Sequence, residues 1–564
     1  MRASLRWLSL ALAIATAMPA QLLAQAGVEA GQWMRIAAVD LDWDAPVGEP
    51  GRKLEAEIRR RLGIFPGSRL DAASLEFALA RLRALPGVEN ASAEFEFSGG
   101  DSGRLIVRID TATSGTPAAP RNGSQRLTLR SDDQGLFKLR VGLKSALALS
   151  ANQWFDNGDT LTEFNPRGRY DGGRGPNGVL DLAPSLGFAA ALPLGKGEQP
   201  AWAYASALYL AGASIGQDNN RNDARFSSAW EEAYVGIVDG GVSERGSPWR
   251  ANVSFGRQPY CIGNGMLLCQ IAASGGDRAA DFAWPRWSGH NVFKAQLRIN
   301  DTLVEGFRLD ANDAPSTETT LAGVNIEQQF GPRAQLGATW LSALDGELRY
   351  FRPDGSFFLR DGLRVWQVRG RWQPHSGEAG VLARGEYALQ THADEDMRAK
   401  GWSAEGGYAF GDSRWQPSIS LRWSATTGDD PSTQRFERWD LLYSGGDIDT
   451  WVQGQLMKNI HYNSNVRVER LLARATPSPK WRLTAAASRF RADELNNFGG
   501  VIAQLADEDL GHELLLVAEH YISRQIYLRL TAASLWPASG VRDTLPRSSE
   551  QPWLVAIAQI NVAF

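Results

Sequence analysis

Ten cationic side chains stand where their chemistry depends on which way a strand turns them: Lys138, Arg140, Lys144, Lys294, Arg298, Arg369, Arg371, Arg422, Arg482 and Arg529. Each lies in a segment whose opposite parity is largely apolar. Phe293, Ala295, Leu297 and Ile299, for example, alternate with Lys294, Gln296 and Arg298. Only 8 of the 59 basic residues are Lys, so the cationic chemistry is that of the guanidinium, which binds carboxylates bidentately. A row of such groups would take an acidic solute. Carboxylates such as Glu386 and Asp310 would share the surface and keep its sites weak enough for release. The plainer reading is that these cations ion-pair with inward carboxylates and set no selectivity.

Other candidate chemistry is sparse. Cys261 and Cys269 are the only two cysteines and flank the turn Gly263-Asn264-Gly265; in an oxidising compartment they are expected to pair as a disulfide. The six His are scattered, and His392-Ala393-Asp394-Glu395-Asp396 reads as an acidic solvated loop instead of a metal site. The run 172–178 is glycine-rich, but no helix follows to offer its N-terminus to a phosphate. No catalytic residue, cofactor or metal is expected, and a net charge of −4 gives no footprint for nucleic acid.

The elements that position these residues follow from hydropathy. Arg2 and Arg6, the apolar run Leu8 to Met18 and Ala24-Gln25-Ala26 read as a signal peptide over 1–26. Over 27–110, alternation at Val39, Leu41 and Trp43 is followed by helical faces at Leu54, Ile58, Leu62 and at Leu75, Leu79, Leu82, with Asp71 as a cap for the second. Alternating Ala91, Ala93, Phe95, Phe97 and Leu105, Val107, Ile109 then complete a β-α-α-β-β order across a turn at Ser98 to Gly103. Residues 111–125 have linker composition. From 126 to 564, period-two alternation recurs between turn-rich stretches, and Leu554, Ala556, Ala558, Ile560, Val562 and Phe564 share one parity. Lipid demands that every backbone group be satisfied within the strands, which only a closed barrel achieves. The expected fold is therefore mostly β: a transmembrane antiparallel β-barrel preceded by a small α+β periplasmic domain. At roughly 24 residues per strand and connection it has about 18 strands, enough for an aqueous lumen. Trp202, Trp340, Trp372, Trp423 and Trp481 fall where interfacial girdles belong. A cation facing lipid at mid-membrane costs about 2–4 kcal/mol, which sends the ten cations to the lumen.

Three stretches resemble the alginate-export family of outer-membrane barrels. They are Gly256-Arg257-Gln258 leading to Gly263 and Gly265; Asp429 leading to Asp440 in Trp439-Asp440-Leu441; and Gly511 and Glu513 leading to Pro537 and Gly540. Asn264 and Leu515 stand where that family carries acidic residues. The element order of 27–110 resembles a POTRA domain, and the polypeptide transporters that carry such domains have a Val-Arg-Gly-aromatic loop with which Val368-Arg369-Gly370-Arg371 shares three positions.

These resemblances imply an outer-membrane channel that passively exports an anionic, alginate-like polysaccharide through an Arg-lined pore. The alternatives are a general or small-solute porin and a POTRA-coupled polypeptide transporter. Expected partners are outer-membrane lipid, the barrel-assembly machinery through the terminal strand ending at Phe564, and a periplasmic or inner-membrane export partner through 27–110.

Overall fold

Strands form here because the chain alternates, and the side that alternation sends outward is apolar. In the computed structural model the described residues are 34–43, 49–65, 69–70, 72–97, 103–111, 127–132, 134–153, 176–195, 200–217, 224–272, 279–280, 282–284, 286–312, 317–375, 377–411, 413–445, 454–461, 463–498, 500, 502, 504–523, 525–544 and 551–564. The expected leader 1–26, Asp71, most of the Ser98–Gly103 turn, the expected linker beyond Thr111 and the glycine run 172–175 lie outside them.

Eighteen antiparallel strands close into a barrel, from Gly135–Ala151 to Trp553–Ala563. The closing register runs from Leu554 opposite Ala151 to Ala563 opposite Gly142. Phe564 continues it, its N–H donating to Val141 O at 2.8 Å. A short segment, Thr128–Asp132, pairs farther along the same edge of the first strand. One end of the barrel has tight connections, such as 300–301 and 479–480, and the other has long ones, such as 258–290 and 427–465. No helix of the described residues is long and apolar enough to cross a membrane.

Leu336, Trp366, Val368 and Trp372 stay exposed on the barrel exterior, as a lipid-facing surface requires. Trp340, Trp423 and Trp481 share that parity, and Trp481 stacks on His520 with ring centroids 4.0 Å apart. Trp202 is a correction. It points inward and is 2% exposed, because the inner surface at its end of the barrel is covered by the N-terminal domain.

That domain comprises β1 (Met34–Trp43), α1 (Glu49–Leu62), β2 (Arg69–Leu70), α2 (Ala72–Arg83), β3 (Val88–Phe97) and β4 (Gly103–Thr111). Its sheet order is β2-β1-β4-β3, with β1 and β4 parallel and β3 antiparallel to β4. Ile58 and Leu62 of α1 and Leu75, Leu79 and Leu82 of α2 pack on Ala91, Phe95, Leu105, Val107 and Ile109 of the sheet. Burying each large aliphatic chain contributes about 1.5–3 kcal/mol, which is why the two helical faces select this packing. The two-residue β2 is too short to show any periodicity in sequence.

The domain docks on the short-turn rim. Its core continues into Tyr521 and Tyr527 of the barrel. Phe97 and Tyr521 ring centroids lie 4.9 Å apart, and Phe97 N–H donates to Pro479 O at 2.9 Å. Across the rim Phe77 of α2 lies 4.9 Å from Tyr204.

Candidate pore lumen

All ten cations chosen by parity project into the barrel. Most meet a carboxylate there. Arg140 pairs with Glu232 at 2.5 Å, Arg369 with Glu327 at 2.7 Å, and Arg482 binds Glu519 bidentately at 2.6 and 2.9 Å. Arg529 lies directly opposite that same Glu519. Lys144 stands in the field of Glu231 and Glu232, and Lys294 in that of Glu305. Two are committed to the docked domain: Lys138 Nζ lies 3.4 Å from Glu76 of α2, and the Arg298 guanidinium sits 4.5 Å over the Phe65 ring. Glu386 also faces inward. Asp310 does not; it lies at a strand end on the outward parity, where it accepts from Thr320 Oγ1 at 2.9 Å.

One row across the wall is richer in cations than in carboxylates. Across five neighbouring strands the directly opposed residues are Arg371, Arg384, Glu405, Arg422 and Arg470. Arg384 and Arg422 share Glu405 at 3.1 and 2.7 Å, while Ser420 Oγ donates to its other oxygen at 2.7 Å. The row thus carries four guanidiniums and one carboxylate. Like charges set directly opposite destabilise a sheet, so this row is a cost that the fold itself does not need. Arg384 and Arg470 were missed by the sequence reading. Around Arg470, polar Arg467 and Glu469 occupy the other parity and blur the alternation; around Arg384, Ala383 and Gly385 are too small to mark an apolar face.

Toward the long loops the inward face changes character. Val292, Leu309, Leu321, Leu341, Leu363 and Val365 point inward and are buried against Tyr260, Ile262, Met266, Leu267 and Leu268, and against Phe436, Trp439, Leu442 and Tyr443. Segments of 258–290 and 427–465 thus fold into the barrel and pack there as a second core. They are also joined by backbone, Cys269 N–H to Tyr443 O at 2.9 Å and Tyr443 N–H to Leu267 O at 3.1 Å. The aqueous lumen expected from strand number is, over this half, filled by protein. Cys261 and Cys269 do form a disulfide, with Cα atoms 4.1 Å apart. Closing so short a loop stabilises the inserted segment by about 2–3 kcal/mol on the chain-entropy account.

The alginate export family model matches residues 211–555. The chain belongs to the alginate export family. Among solved structures it is similar to OprB of Pseudomonas putida (11% identity, TM-score 0.38, covering 76% of this chain and 94% of that one). OccAB4 of Acinetobacter baumannii gives 11% and 0.46, and OpdK of Pseudomonas aeruginosa with vanillate gives 10% and 0.46, each covering 76% of this chain and 98% of the other. No curated protein matches the chain. Its place is the outer membrane, as a barrel of a channel-forming family.

The residues that resemble the alginate export family's motifs hold the inserted loops. Gln258 donates through Nε2 to Val292 O at 2.8 Å and accepts at Oε1 from Ser254 Oγ at 2.9 Å, while Arg257 reaches His290. Gly265 has φ +86°, and a Cβ there would lie 2.3 Å from Gly445 O, where the two loops touch. Its neighbour Asn264, after Gly263, donates to Glu386 at 2.6 Å. Asp429 accepts from Glu437 N–H at 2.9 Å. Asp440 is gripped by Arg360 through two hydrogen bonds of 2.8 and 2.9 Å, accepts from Leu442 N–H, and also receives Tyr350 OH. Glu513, two residues beyond Gly511, accepts three backbone N–H groups of the other loop, from Gln455, Leu456 and Met457, at 2.6 to 3.0 Å. Pro537 ends its strand just before Gly540, which abuts Asp507 O. Val368-Arg369-Gly370-Arg371 lies within a wall strand, with Val368 outward and Arg369 inward.

Titration in these loops follows burial. His461, 3% exposed, is pushed down to about 4, chiefly by burial and then by the nearby Arg438 cation. Burial pushes Arg438 down to about 10 despite Asp429 and Asp440 beside it.

Proposed function

We propose that this barrel conducts an anionic, alginate-like polysaccharide outward by passive diffusion, with the short-turn rim and the N-terminal domain on the periplasmic side. The observation that carries the reading is the row Arg371–Arg384–Glu405–Arg422–Arg470. A row in which guanidiniums outnumber carboxylates attracts acidic solutes, and guanidinium geometry binds carboxylates two oxygens at a time. The surrounding ion pairs keep the potential from becoming a trap, since conduction needs sites that release. Transport of this kind makes and breaks no covalent bond. The POTRA-like element order of the N-terminal domain supports a role in meeting an export partner in the periplasm, and Phe564, paired into the closing seam, suits a strand read by the assembly machinery.

Single-channel recording tests the reading. A galacturonate hexamer on the short-turn side should block the open channel at concentrations at least tenfold below those needed with maltohexaose. Equal block by both would move the protein to a general porin.

A further inference from the structure

Where the N-terminal domain meets the rim, the barrel keeps a cavity of about 250 Å³, near the lower end of ligand pockets (about 300 Å³). Its floor is the end of α1 and one side of α2; its wall includes Arg250, Lys294 and Arg298; its roof is the inserted loop at Tyr260 to Asn264. Asp301, Glu305 and Glu327 line it too, the first and last of them in the field of Arg298, but three of its guanidiniums make their direct contacts elsewhere. Arg81 of α2 donates to Arg61 O at 3.0 Å and Leu62 O at 3.2 Å. Arg250 donates to Gly63 O, and Arg298 lies over the Phe65 ring. Among the described residues no carboxylate lies within ion-pair distance of any of the three, whereas Arg369 of the same lining pairs with Glu327. Arg81 is 8% exposed, and its guanidinium is pushed down to about 9, chiefly by burial and then by Arg250.

Burying cations costs several kcal/mol that carbonyl oxygens return only in part, and the carboxylates lining the cavity form no salt bridge with these three, so a further anion there would meet guanidiniums able to receive it. The partners that Arg250 and Arg298 do have, Gly63 O and Phe65, belong to the N-terminal domain. A carboxylate that draws both guanidiniums into bidentate geometry competes with the contacts that dock the domain.

We propose that Arg81, Arg250 and Arg298 form a carboxylate-binding site shared by the N-terminal domain and the barrel, and that an acidic glycan occupying it weakens the docking of that domain on the rim. The site rests on the functional reading above and adds to it a ligand-sensitive closure. It lies partly outside residues 211–555, since Arg81 belongs to the N-terminal domain.

The docking is measurable in the full chain through Glu76→Cys with Lys138→Cys, whose parent side chains meet across the seam at 3.4 Å. The parent stems are long, so the introduced thiols stand farther apart than a disulfide spans, and the yield of a short bis-maleimide cross-link between them reports the docked state. Galacturonate hexamer should lower that yield at least threefold, and maltohexaose should leave it unchanged. In the same background Arg250→Gln with Arg298→Gln should raise the hexamer concentration required by tenfold or more, while Arg250→Lys with Arg298→Lys restores most of the response. A hexamer that blocks the channel but leaves the cross-link unaffected, or acts equally on the Gln variant, overturns the shared site and leaves the channel reading standing. A hexamer that neither blocks nor changes the cross-link overturns both.

Discussion

The same strands present two different inner surfaces along their length. Toward the long loops they offer Leu309, Leu341 and Val365 to an inserted apolar core; toward the short turns they offer Arg140, Arg369 and Arg482 to carboxylates and a cavity. Alternation decides only whether a side chain faces lipid. What the inward side must be is decided by what occupies the interior: folded loops need an apolar partner, and a passage needs charges that can exchange partners. The first half is thus held by its inserted loops and the second carries the charged groups, and the family motif residues sit almost wholly in the first.

The sharpest way to break this contrast is to unlock the inserted loops. Arg360 and Asp440 are 3% and 6% exposed and joined bidentately. Arg360→Ala would leave Asp440 buried without its cation, a loss of about 3–5 kcal/mol. The barrel should keep its heat-modifiable migration, because its strands do not depend on the pair, while single-channel conductance rises severalfold and 427–445 becomes open to protease. Unchanged conductance would show that the loops do not close this half.

A smaller perturbation is available through pH. His461 is neutral in the folded loop, with its value near 4, against about 6.5 when unfolded. Between these limits the unfolded loop binds the extra proton, so stability is complete above about pH 6.5 and declines as pH falls toward 4, by on the order of 2–3 kcal/mol. Channel opening events should become more frequent from pH 7 to 4.5. His461→Asn should flatten that dependence, and an equally steep profile in the variant would assign it to another group.

The sequence discloses the two halves unequally. Parity sends all ten chosen cations inward, and the faces of Ile58, Leu62, Leu79 and Leu82 give the N-terminal helices, because these signals are local. Cys261 and Cys269 are the only candidates for pairing in the chain. The insertion of 258–290 and 427–465 is not local. Gln258, Asp440 and Glu513 meet partners 34 to 80 residues away, as in Gln258–Val292, Glu513–Leu456 and Arg360–Asp440, so their types alone do not say that they anchor loops. Arg384 and Arg470 stay hidden where the opposite parity is small or polar. Trp202 and Asp310 are misplaced for a related reason: at strand ends, parity no longer tells lipid from a docked domain or from water.

If the charged half gives the channel its preference, the reversal potential across a planar bilayer under a salt gradient reports it. Wild type should prefer anions, and the preference should shrink as salt rises, because exposed charges are screened over about 10 Å at 0.1 M. Arg371→Gln, Arg384→Gln, Arg422→Gln and Arg470→Gln together keep hydrogen-bonding capacity, leave Glu405 as the charge of the row, and should carry the potential through zero to cation preference. A wild-type channel that prefers cations, or a fourfold variant that keeps the wild-type potential, would contradict the account.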